Sequence, residues 1–332
     1  MAFNSHIKMK IAYTDFWGDF NPSTFPLTQI IQQIEGMQQT NSLKDTDFLL
    51  YSCMGSNHFF APDNVVKIYY TGENLTPDFN ACDYAIGFDR LEFGDRYLRF
   101  PLYYLYDEIC EKMEGKHILP IEETFAQKTD FCSMTISNSL RNPIYQKLFE
   151  GLSAYKKVDS GGKCENNIGG PVKDKFSFDL CHKFSIVCEN SAYPGYTTEK
   201  IVQAFAANCI PIYWGDPTIG EVFNKKAFVN VQDFDSVESV FNRVKEIDKN
   251  ADLYVEMLQT PALVDIKYSK DRQMKILKSF LLNIFTLPYE QAKRRNRDCQ
   301  GNIYIQERQY QIRKSNDTSV LSSIKGLITR YF

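Results

Sequence analysis

The stretch ENSAYPGYTTEK, which ends at Lys200, concentrates polar side chains between two apolar segments. The run FSIVC before it predicts a buried strand, and Pro194 and Gly195 predict a turn. A helix should follow, with Thr197 or Thr198 as its N-cap. Backbone N–H groups and the helix dipole attract anions at such a helix start. Lys200 in the first turn conflicts with that dipole unless an anion is bound beside it.

Glu199 adds a second chemical function at the same junction. A carboxylate cannot bind phosphate, but it can accept hydrogen bonds from ribose hydroxyls, as in dinucleotide-binding folds. Together with Lys200 it predicts a site for a nucleoside diphosphate. The alternative is a solvated helix turn with a local Glu199–Lys200 pair, which is the better interpretation of either residue alone. The whole cluster at one strand-to-helix junction favours the nucleotide.

The elements that would position this junction alternate between strands and helices. Strands are predicted at KMKIAYTDF, DFLLYSC, VVKIYYT, DYAIGF, FCSMTISN, KFSIVCEN, CIPIYWG and AFVNV. Helices are predicted at FPLTQIIQQIEGMQQ, RNPIYQKLFEGLSAY, TTEKIVQAFAAN and VESVFNRVKEI. This alternation is typical of parallel sheets, and a charged stretch between two sets of units places a domain boundary near Ala126. We expect two doubly wound domains with a ligand-binding cleft between them.

Composition and motifs exclude several classes of protein. The chain has 332 residues and a net charge of −3, which gives no signal for nucleic acid binding. No GxGxxG or Walker A motif follows a predicted strand, which favours a sugar-nucleotide enzyme over a dehydrogenase or P-loop NTPase. The nine cysteines form no CxxC pair, which predicts reduced thiols rather than disulfides or a zinc site. No signal core or spanning segment is visible, so we expect a cytoplasmic protein.

The segment FSIVCENSAYPGYTTEKIVQAFAANCIPIYWGDP resembles the signature of the α1,3/4-fucosyltransferase family. The motifs YYTGEN, DYAIGFD, SNSLRNPIY and FNKKAFVNVQDF extend the resemblance over roughly residues 8–260, most like compact bacterial members. It implies an α/β fold with two facing Rossmann-like domains (GT-B) and an active site in the cleft between them. Residues 1–126 would bind the acceptor and residues 127–285 would bind GDP-fucose. Residues 286–332 would form a basic, partly helical tail.

The resemblance also implies roles for individual donor-site residues. Arg141 in SLRNP and Lys200 in TEK resemble the two cations that hold the pyrophosphate. Asn190 and Tyr196 resemble the polar groups that orient the phosphates, and Glu199 resembles the carboxylate on the ribose. No cofactor is required beyond the donor GDP-fucose. Mg²⁺ or Mn²⁺ would stimulate the reaction only by shielding product GDP, without a protein metal site.

Glu73, in YYTGEN, resembles the proposed catalytic carboxylate of the family. It follows an apolar strand and Gly72, so it should face the cleft and take a proton from an acceptor hydroxyl. Without the resemblance, a surface-loop glutamate would be the better interpretation. Asp15, Trp17 and Asp19 in TDFWGDF follow the first strand and are predicted to touch the acceptor, although core packing of Trp17 is an equal alternative.

These assignments imply an inverting transferase that moves L-fucose to the N-acetylglucosamine of lactosamine-type (Lewis-type) glycans. The acceptor would be an oligosaccharide or lipid-linked glycan, such as lipopolysaccharide or another surface glycan. Whether O3 or O4 is fucosylated stays open. The alternatives are a related GT-B glycosyltransferase with another sugar nucleotide, and a catalytically silent glycan-binding module. The presence of Glu73, Arg141 and Lys200 argues against the silent module.

The C-terminal residues differ in charge from the rest of the chain. Residues 286–332 contain nine Lys or Arg but four Asp or Glu, whereas the remainder is net acidic. Apolar side chains recur there at helical spacing: Val320, Leu321, Ile324, Leu327, Ile328 and Phe332. A basic amphipathic helix over residues 318–332 predicts contact with an anionic membrane surface, on the inner face of the cytoplasmic membrane. The alternative is a helix that packs on the enzyme.

Overall fold

The computed structural model describes residues 8–116, 120–137 and 143–331, and side chains through residue 316. Arg141, one of the two predicted pyrophosphate cations, lies outside the described residues. The apolar side chains predicted to line a helix over residues 318–332 also lie outside them.

The chain divides into two compact units. The first unit takes in the chain through Gly87, the segment Leu91–Arg99, and the chain from Leu277 onward. The second unit consists of Phe88–Arg90 and Phe100–Ile276. This division differs from the domains expected from the sequence, whose boundary lay near residue 126. The C-terminal segment belongs to the first unit and is not separate from it.

The first unit is built on a parallel sheet. Its described strands are β1 (Met9–Thr14), β2 (Met37–Gln39), β3 (Phe48–Tyr51), β4 (Val66–Tyr70), β5 (Tyr84–Gly87) and β6 (Tyr97–Arg99). They are ordered β2-β1-β3-β4-β5-β6, and each recorded pairing is parallel. β3 and β4 are buried along their whole length, as expected for continuous apolar runs inside a parallel sheet.

The helix predicted at FPLTQIIQQIEGMQQ is shorter in the structure. α1 (Pro26–Gln32) starts on a proline, whose fixed φ suits the first helical turn. The chain then turns at Gly36, where φ is 83°, and enters β2. The helix prediction was therefore wrong beyond Gln32, because a positive φ at Gly36 allows a turn that apolar periodicity does not reveal.

The second unit also contains a parallel sheet. Its described strands are β7 (Asp130–Met134), β8 (Val158–Ser160), β9 (His182–Cys188), β10 (Ile210–Trp214) and β11 (Val229–Asn230), ordered β11-β10-β9-β7-β8. Helices α2 (Asp107–Gly115), α3 (Ile121–Gln127), α4 (Ile144–Ser153), α5 (Lys175–Leu180), α6 (Glu199–Ala206), α7 (Val237–Lys249) and α8 (Ala251–Gln259) belong to the same unit. α2 and α3 occupy the charged stretch that had suggested a boundary. The two parallel sheets with their helices confirm the expected α/β class.

Helix α9 (Lys270–Thr286) carries the chain from the second unit back to the first, where α10 (Tyr289–Ala292) and α11 (Gln300–Tyr331) follow. α11 contacts the first unit near its start: the hydroxyl of Tyr304 donates to Asp78, and Gln309 Nε2 donates to the carbonyl of Phe59 at 2.7 Å. The predicted C-terminal helix is thus part of a longer one. In the described part of the chain, no helix combines the length and apolarity needed to cross a membrane.

The basic segment before α11 is anchored on a buried carboxylate. Asp83 is 0% exposed, and its Oδ1 accepts the backbone N–H groups of Arg294 (2.7 Å) and Arg295 (2.8 Å). Arg297 Nη2 lies 3.1 Å from the same oxygen, and Lys67 N donates to Oδ2 at 2.8 Å. The guanidinium groups of Arg295 and Arg297 pair with Asp83, and that of Arg294 pairs with Asp95. Part of the positive charge that had suggested an external anionic partner is therefore used inside this unit, which corrects that interpretation for residues 294–297.

Candidate active site

The junction between β9 and α6 is closed by a carboxylate that the sequence analysis did not single out. Glu189 follows β9 and is 0% exposed. Its Oε1 accepts the N–H of Thr198 at 2.8 Å, and its Oε2 accepts the hydroxyl of Thr198 at 2.7 Å. Gly215 leaves room for it, since a Cβ there would lie 2.5 Å from Glu189 Cγ. Burial raises the pKa of Glu189, more than Lys200 and the Thr198 hydrogen bonds lower it.

Lys200 lies in the first turn of α6, as predicted. The helix begins at Glu199 with Thr198 as N-cap, and the Thr198 side chain makes no capping hydrogen bond. Lys200 Nζ donates to Glu189 Oε2 at 3.2 Å and to Asn190 Oδ1 at 3.1 Å. The lysine side chain keeps 27% exposure, so an anion can still reach it. Glu189 therefore provides the negative charge that offsets the conflict between Lys200 and the helix dipole. The sequence analysis had expected only a bound ligand to provide it.

Asp216 fixes the turn between β9 and α6 from the neighbouring strand end. It follows β10, is 1% exposed, and accepts the N–H of Gly195 at Oδ1 (2.8 Å). Its Oδ2 accepts the hydroxyl of Thr197 at 3.1 Å, and Thr218 N donates to Oδ1 at 2.7 Å. The segment that should carry phosphate-binding groups is therefore held by two buried carboxylates, Asp216 and Glu189.

The other predicted donor residues differ in exposure. Asn190 is exposed and Glu199 is half-buried. The pKa of Tyr106 is raised by burial and, to a smaller extent, by the negative charge of Glu199. Tyr196 is 2% exposed, and its ring packs edge-on against Phe88 with centroids 5.1 Å apart. The structure thus brings Asn190, Glu199 and Lys200 together at an accessible helix start, whereas Tyr196 packs beneath the loop.

Glu73 comes from the carboxyl edge of the sheet in the first unit. It follows β4, and its side chain is exposed. Its backbone is held by the buried Thr71, whose hydroxyl accepts Glu73 N–H at 3.0 Å and lies 3.1 Å from Glu73 O. A fixed backbone with an exposed carboxylate suits a group that must meet a substrate proton.

The segment after β1 lies at the same edge, because β1, β3 and β4 are successive strands of the sheet. Trp17 is 39% exposed and Asp19 is exposed. Asp15 is 7% exposed, and His58 donates to its Oδ2 from N (2.9 Å) and from Nδ1 (2.7 Å). Asn57 N donates to Oδ1 at 2.9 Å. The predicted acceptor contact therefore does not suit Asp15, whose oxygens are occupied by the loop after β3, whereas Trp17 and Asp19 remain accessible.

A cavity of about 860 Å³ lies at the opposite edge of the first unit. It is lined in part by Met9 and Phe48, near the amino ends of β1 and β3, and by Leu281 and Phe285 of α9. The described site residues do not line it, and ligands of doubly wound sheets bind at carboxyl ends. The cavity is therefore separate from the candidate site.

The sequence contains two Asp-x-Asp segments, residues 45–47 and 233–235, and carboxylates of both have protein partners. Lys10 Nζ pairs with Asp45 at 2.7 Å, and Lys10 N donates to Asp47 at 2.8 Å. Asp233 pairs with Lys225 at 2.8 Å. Asp45, Asp47 and Asp233 are therefore engaged by groups of the protein itself.

One group of described residues has metal-ligand spacing. Asp130, Cys181 and His182 place ligand atoms within 4.8 Å of one another. However, His182 Nδ1 lies 2.8 Å from the carbonyl oxygen of Phe178, and that contact requires a proton on Nδ1. With Nδ1 facing a carbonyl oxygen and three ligand residues in the group, the described residues do not supply four ligands for a tetrahedral structural site here.

Family comparisons agree with this arrangement along most of the chain. The family model of the alpha-(1,3)-fucosyltransferase FucT N-terminal domain matches residues 11–106. The model of the glycosyltransferase family 10 (fucosyltransferase) C-terminal region matches residues 125–284, which include the whole β9–α6 junction. The chain belongs to the glycosyltransferase family 10 fucosyltransferases.

The chain matches curated relatives of greater length. The alpha-(1,3)-fucosyltransferase FucT of Helicobacter pylori is 33% identical over 295 residues, or 78% of this chain. The chain spans 61% of the length of that relative.

Solved structures share the fold. A crystal structure of an α1,3-fucosyltransferase matches with a TM-score of 0.71 and 29% identity, covering 85% of this chain and 92% of that chain. The structure of α1,3-fucosyltransferase with GDP-fucose matches with a TM-score of 0.69 and 29% identity, covering 87% and 94%. These likenesses confirm the expected class of two Rossmann-like parallel sheets, the GT-B fold.

Proposed function

We propose that the chain is an inverting α1,3-fucosyltransferase that uses GDP-fucose. The observation that carries the proposal is the intact cluster at the start of α6, where an accessible Lys200 ammonium lies beside Asn190 and Glu199. The cluster falls inside the region that matches the family C-terminal model, and a relative with 33% identity is a fucosyltransferase. Arg141, in the SLRNP motif, is the second proposed cation.

The reaction would be a single displacement. The acceptor hydroxyl oxygen attacks C1 of fucose on the face opposite the nucleotide, and the bond between C1 and the β-phosphate oxygen breaks. GDP leaves with that electron pair, while the hydroxyl proton passes to Glu73. Lys200 and Arg141 stabilise the negative charge that develops on GDP. Glu199 would accept hydrogen bonds from the ribose, and Tyr196 would support the loop by packing on Phe88.

The proposed acceptor is the N-acetylglucosamine of a lactosamine-type glycan, on lipopolysaccharide or another surface glycan. Trp17 and Asp19 are the proposed acceptor contacts, since both are accessible at the edge that carries Glu73. Incubation with GDP-fucose and type 1, type 2 and glucose-containing acceptors, followed by linkage analysis, tests this. A 3-linked fucose with inverted anomeric configuration on type 2 acceptors is expected, and linkage at another sugar would contradict it.

Nucleotide titration tests the donor. By calorimetry, GDP should bind, GMP should bind much more weakly because it lacks the β-phosphate, and UDP should not compete. Binding of UDP without GDP would instead support a glycosyltransferase with another sugar nucleotide. Binding of the glycan acceptor without any nucleotide would support a silent binding module.

Contact with an anionic membrane surface is proposed for residues 318–332 alone, because the side chains of Arg294, Arg295 and Arg297 pair with carboxylates within the first unit. The enzyme would then be peripheral on the inner face of the cytoplasmic membrane. Flotation with anionic and neutral liposomes, comparing the full chain with one that ends at Asn316, tests this. Only the full chain should float with anionic vesicles, and equal flotation of both would contradict the proposal.

A further inference from the structure

Glu189 places a buried anion against the cation that we assign to the pyrophosphate. The carboxylate is 0% exposed, and its Oε2 lies 3.2 Å from Lys200 Nζ. Asn190 Oδ1 accepts from the same ammonium at 3.1 Å. Two acceptors, of which Glu189 is fully buried, therefore orient the ammonium before a donor arrives. A lysine on its flexible stem would otherwise spread over several rotamers.

The remaining contacts of Glu189 fix its own position. Both carboxylate oxygens are engaged by Thr198, one through the backbone N–H and one through the hydroxyl. Thr198 is the N-cap of α6, so the carboxylate links the end of β9 to the start of the helix that carries Lys200. Movement of the lysine relative to the strand end is thereby restricted.

We propose that Glu189 is a positioning residue for fucosyl transfer and acts through Lys200. The inference rests on the proposed function. A fixed ammonium needs little reorganisation when charge develops on the departing GDP, which favours the transition state. The Glu189 charge also repels the bound diphosphate, and this offsets the ground-state gain from an oriented lysine. Loss of Glu189 should therefore lower kcat much more than the affinity for GDP.

Asp216 provides a matched control. It is a second buried carboxylate that holds the same loop, through Gly195 and Thr197, but its recorded contacts do not include Lys200. A role in loop structure alone should make the two carboxylates behave alike. A role through Lys200 should distinguish them.

The test is a pair of double-mutant cycles with Lys200→Met, measured by kcat and by calorimetric affinity for GDP. Glu189→Gln keeps the side-chain size and removes the charge. Alone it should lower kcat about 10- to 100-fold, with a much smaller change in GDP affinity. In the Lys200→Met background it should add little further loss, because the group through which it acts is absent. Asp216→Asn should reduce kcat by the same factor in both backgrounds.

Each outcome decides a different point. A wild-type chain that does not bind GDP overturns the proposed function and this role with it. Wild-type binding with multiplicative effects of Glu189→Gln and Lys200→Met overturns the positioning role alone. Equal losses of kcat and GDP affinity in Glu189→Gln also overturn it, since general loosening of the loop would cause them. If Glu189→Gln fails to fold, Glu189→Asp, which withdraws the charge by one methylene, takes its place in the same cycle.

Discussion

Gly195 donates its backbone N–H to Asp216 Oδ1 at 2.8 Å, and the two residues follow neighbouring strands, β9 and β10. Gly195 has a φ of 85°, and a Cβ there would lie 2.7 Å from the carbonyl oxygen of Phe88. The loop that should bind the donor therefore has a backbone conformation and a close approach that only glycine permits.

Gly195→Ala should lower both the free energy of unfolding and the affinity for GDP. Strain at positive φ alone costs about 1–2 kcal/mol, and the backbone contact adds to it. Gly169→Ala is the control, since Gly169 has a φ of 89° but no atoms within 4 Å of an added Cβ. Urea unfolding should show the smaller loss for Gly169→Ala, and its GDP affinity should match the wild type. Equal behaviour of the two variants would contradict the role of the Phe88 contact.

Glu73→Gln should lower kcat by about 10²–10⁴-fold at saturating substrates, because the amide cannot accept the hydroxyl proton. Its affinity for GDP should stay unchanged, since the proposed donor residues belong to the other unit. Glu92→Gln, an exposed glutamate of the first unit, is the matched control and should retain wild-type turnover. Turnover of Glu73→Gln close to that of Glu92→Gln would remove Glu73 from the mechanism.

Asp15→Asn and Asp19→Asn should separate loop support from acceptor binding. Burial alone would raise the pKa of Asp15, but hydrogen bonds from His58 and Asn57 outweigh it and lower the pKa. In Asp15→Asn an NH₂ group replaces one buried carboxylate oxygen and faces the N–H donors of His58 or Asn57. The lost hydrogen bonds should lower the free energy of unfolding by about 1–3 kcal/mol. Asp19→Asn should leave stability unchanged and raise the acceptor KM. Thermal unfolding and acceptor kinetics check both, and a stable Asp15→Asn would contradict the structural role.

The sequence was sufficient to predict the strands that are buried as continuous apolar runs, such as β4 and β9. It was also sufficient to place the start of α6 at Thr197 or Thr198, of which the structure has Thr198, because a polar N-cap before an apolar-periodic run is a local signal. β6 and β8 were not predicted, since each has three residues and gains its stability from a neighbouring strand rather than from its own pattern.

The buried carboxylates escaped sequence analysis for a related reason. Glu189, Asp216 and Asp83 are polar residues next to strands, and such residues are usually exposed. Their burial depends on partners that lie 9 to more than 200 positions away, such as Thr198 for Glu189 and Arg294 for Asp83. The position of Glu189 and Asp216, directly after the adjacent strands β9 and β10, could have indicated their role, but only once the strand order was known.

Lys116 should make stability depend on pH. Its Nζ donates to the carbonyl of Leu258 at 2.7 Å, it is 5% exposed, and burial lowers its pKa from 10.5 to about 7. Between these two pH values the unfolded chain holds a proton that the folded chain has lost, so this group makes stability rise with pH. Below pH 7 both states are protonated and the cost of burying the charge is fully present.

Lys116→Met removes this dependence. From pH 7 to pH 9 the wild type should gain stability relative to Lys116→Met, by at most about 1.4 kcal/mol per pH unit. Lys112→Met, on the exposed face of helix α2, which ends one residue before Lys116, is the control and should follow the wild-type curve. Urea unfolding at pH 6, 7.5 and 9 measures the differences, and parallel curves for all three proteins would contradict the assignment.

The anchoring of residues 294–297 on Asp83 has a consequence for the order in which the protein forms during synthesis. Asp83 leaves the ribosome more than 200 residues before the backbone N–H groups that satisfy its Oδ1. Folding of the first unit before then would bury this carboxylate without those partners, which would cost free energy. The second unit, by contrast, is complete once Ile276 has emerged. The first unit should therefore reach its native state after the second.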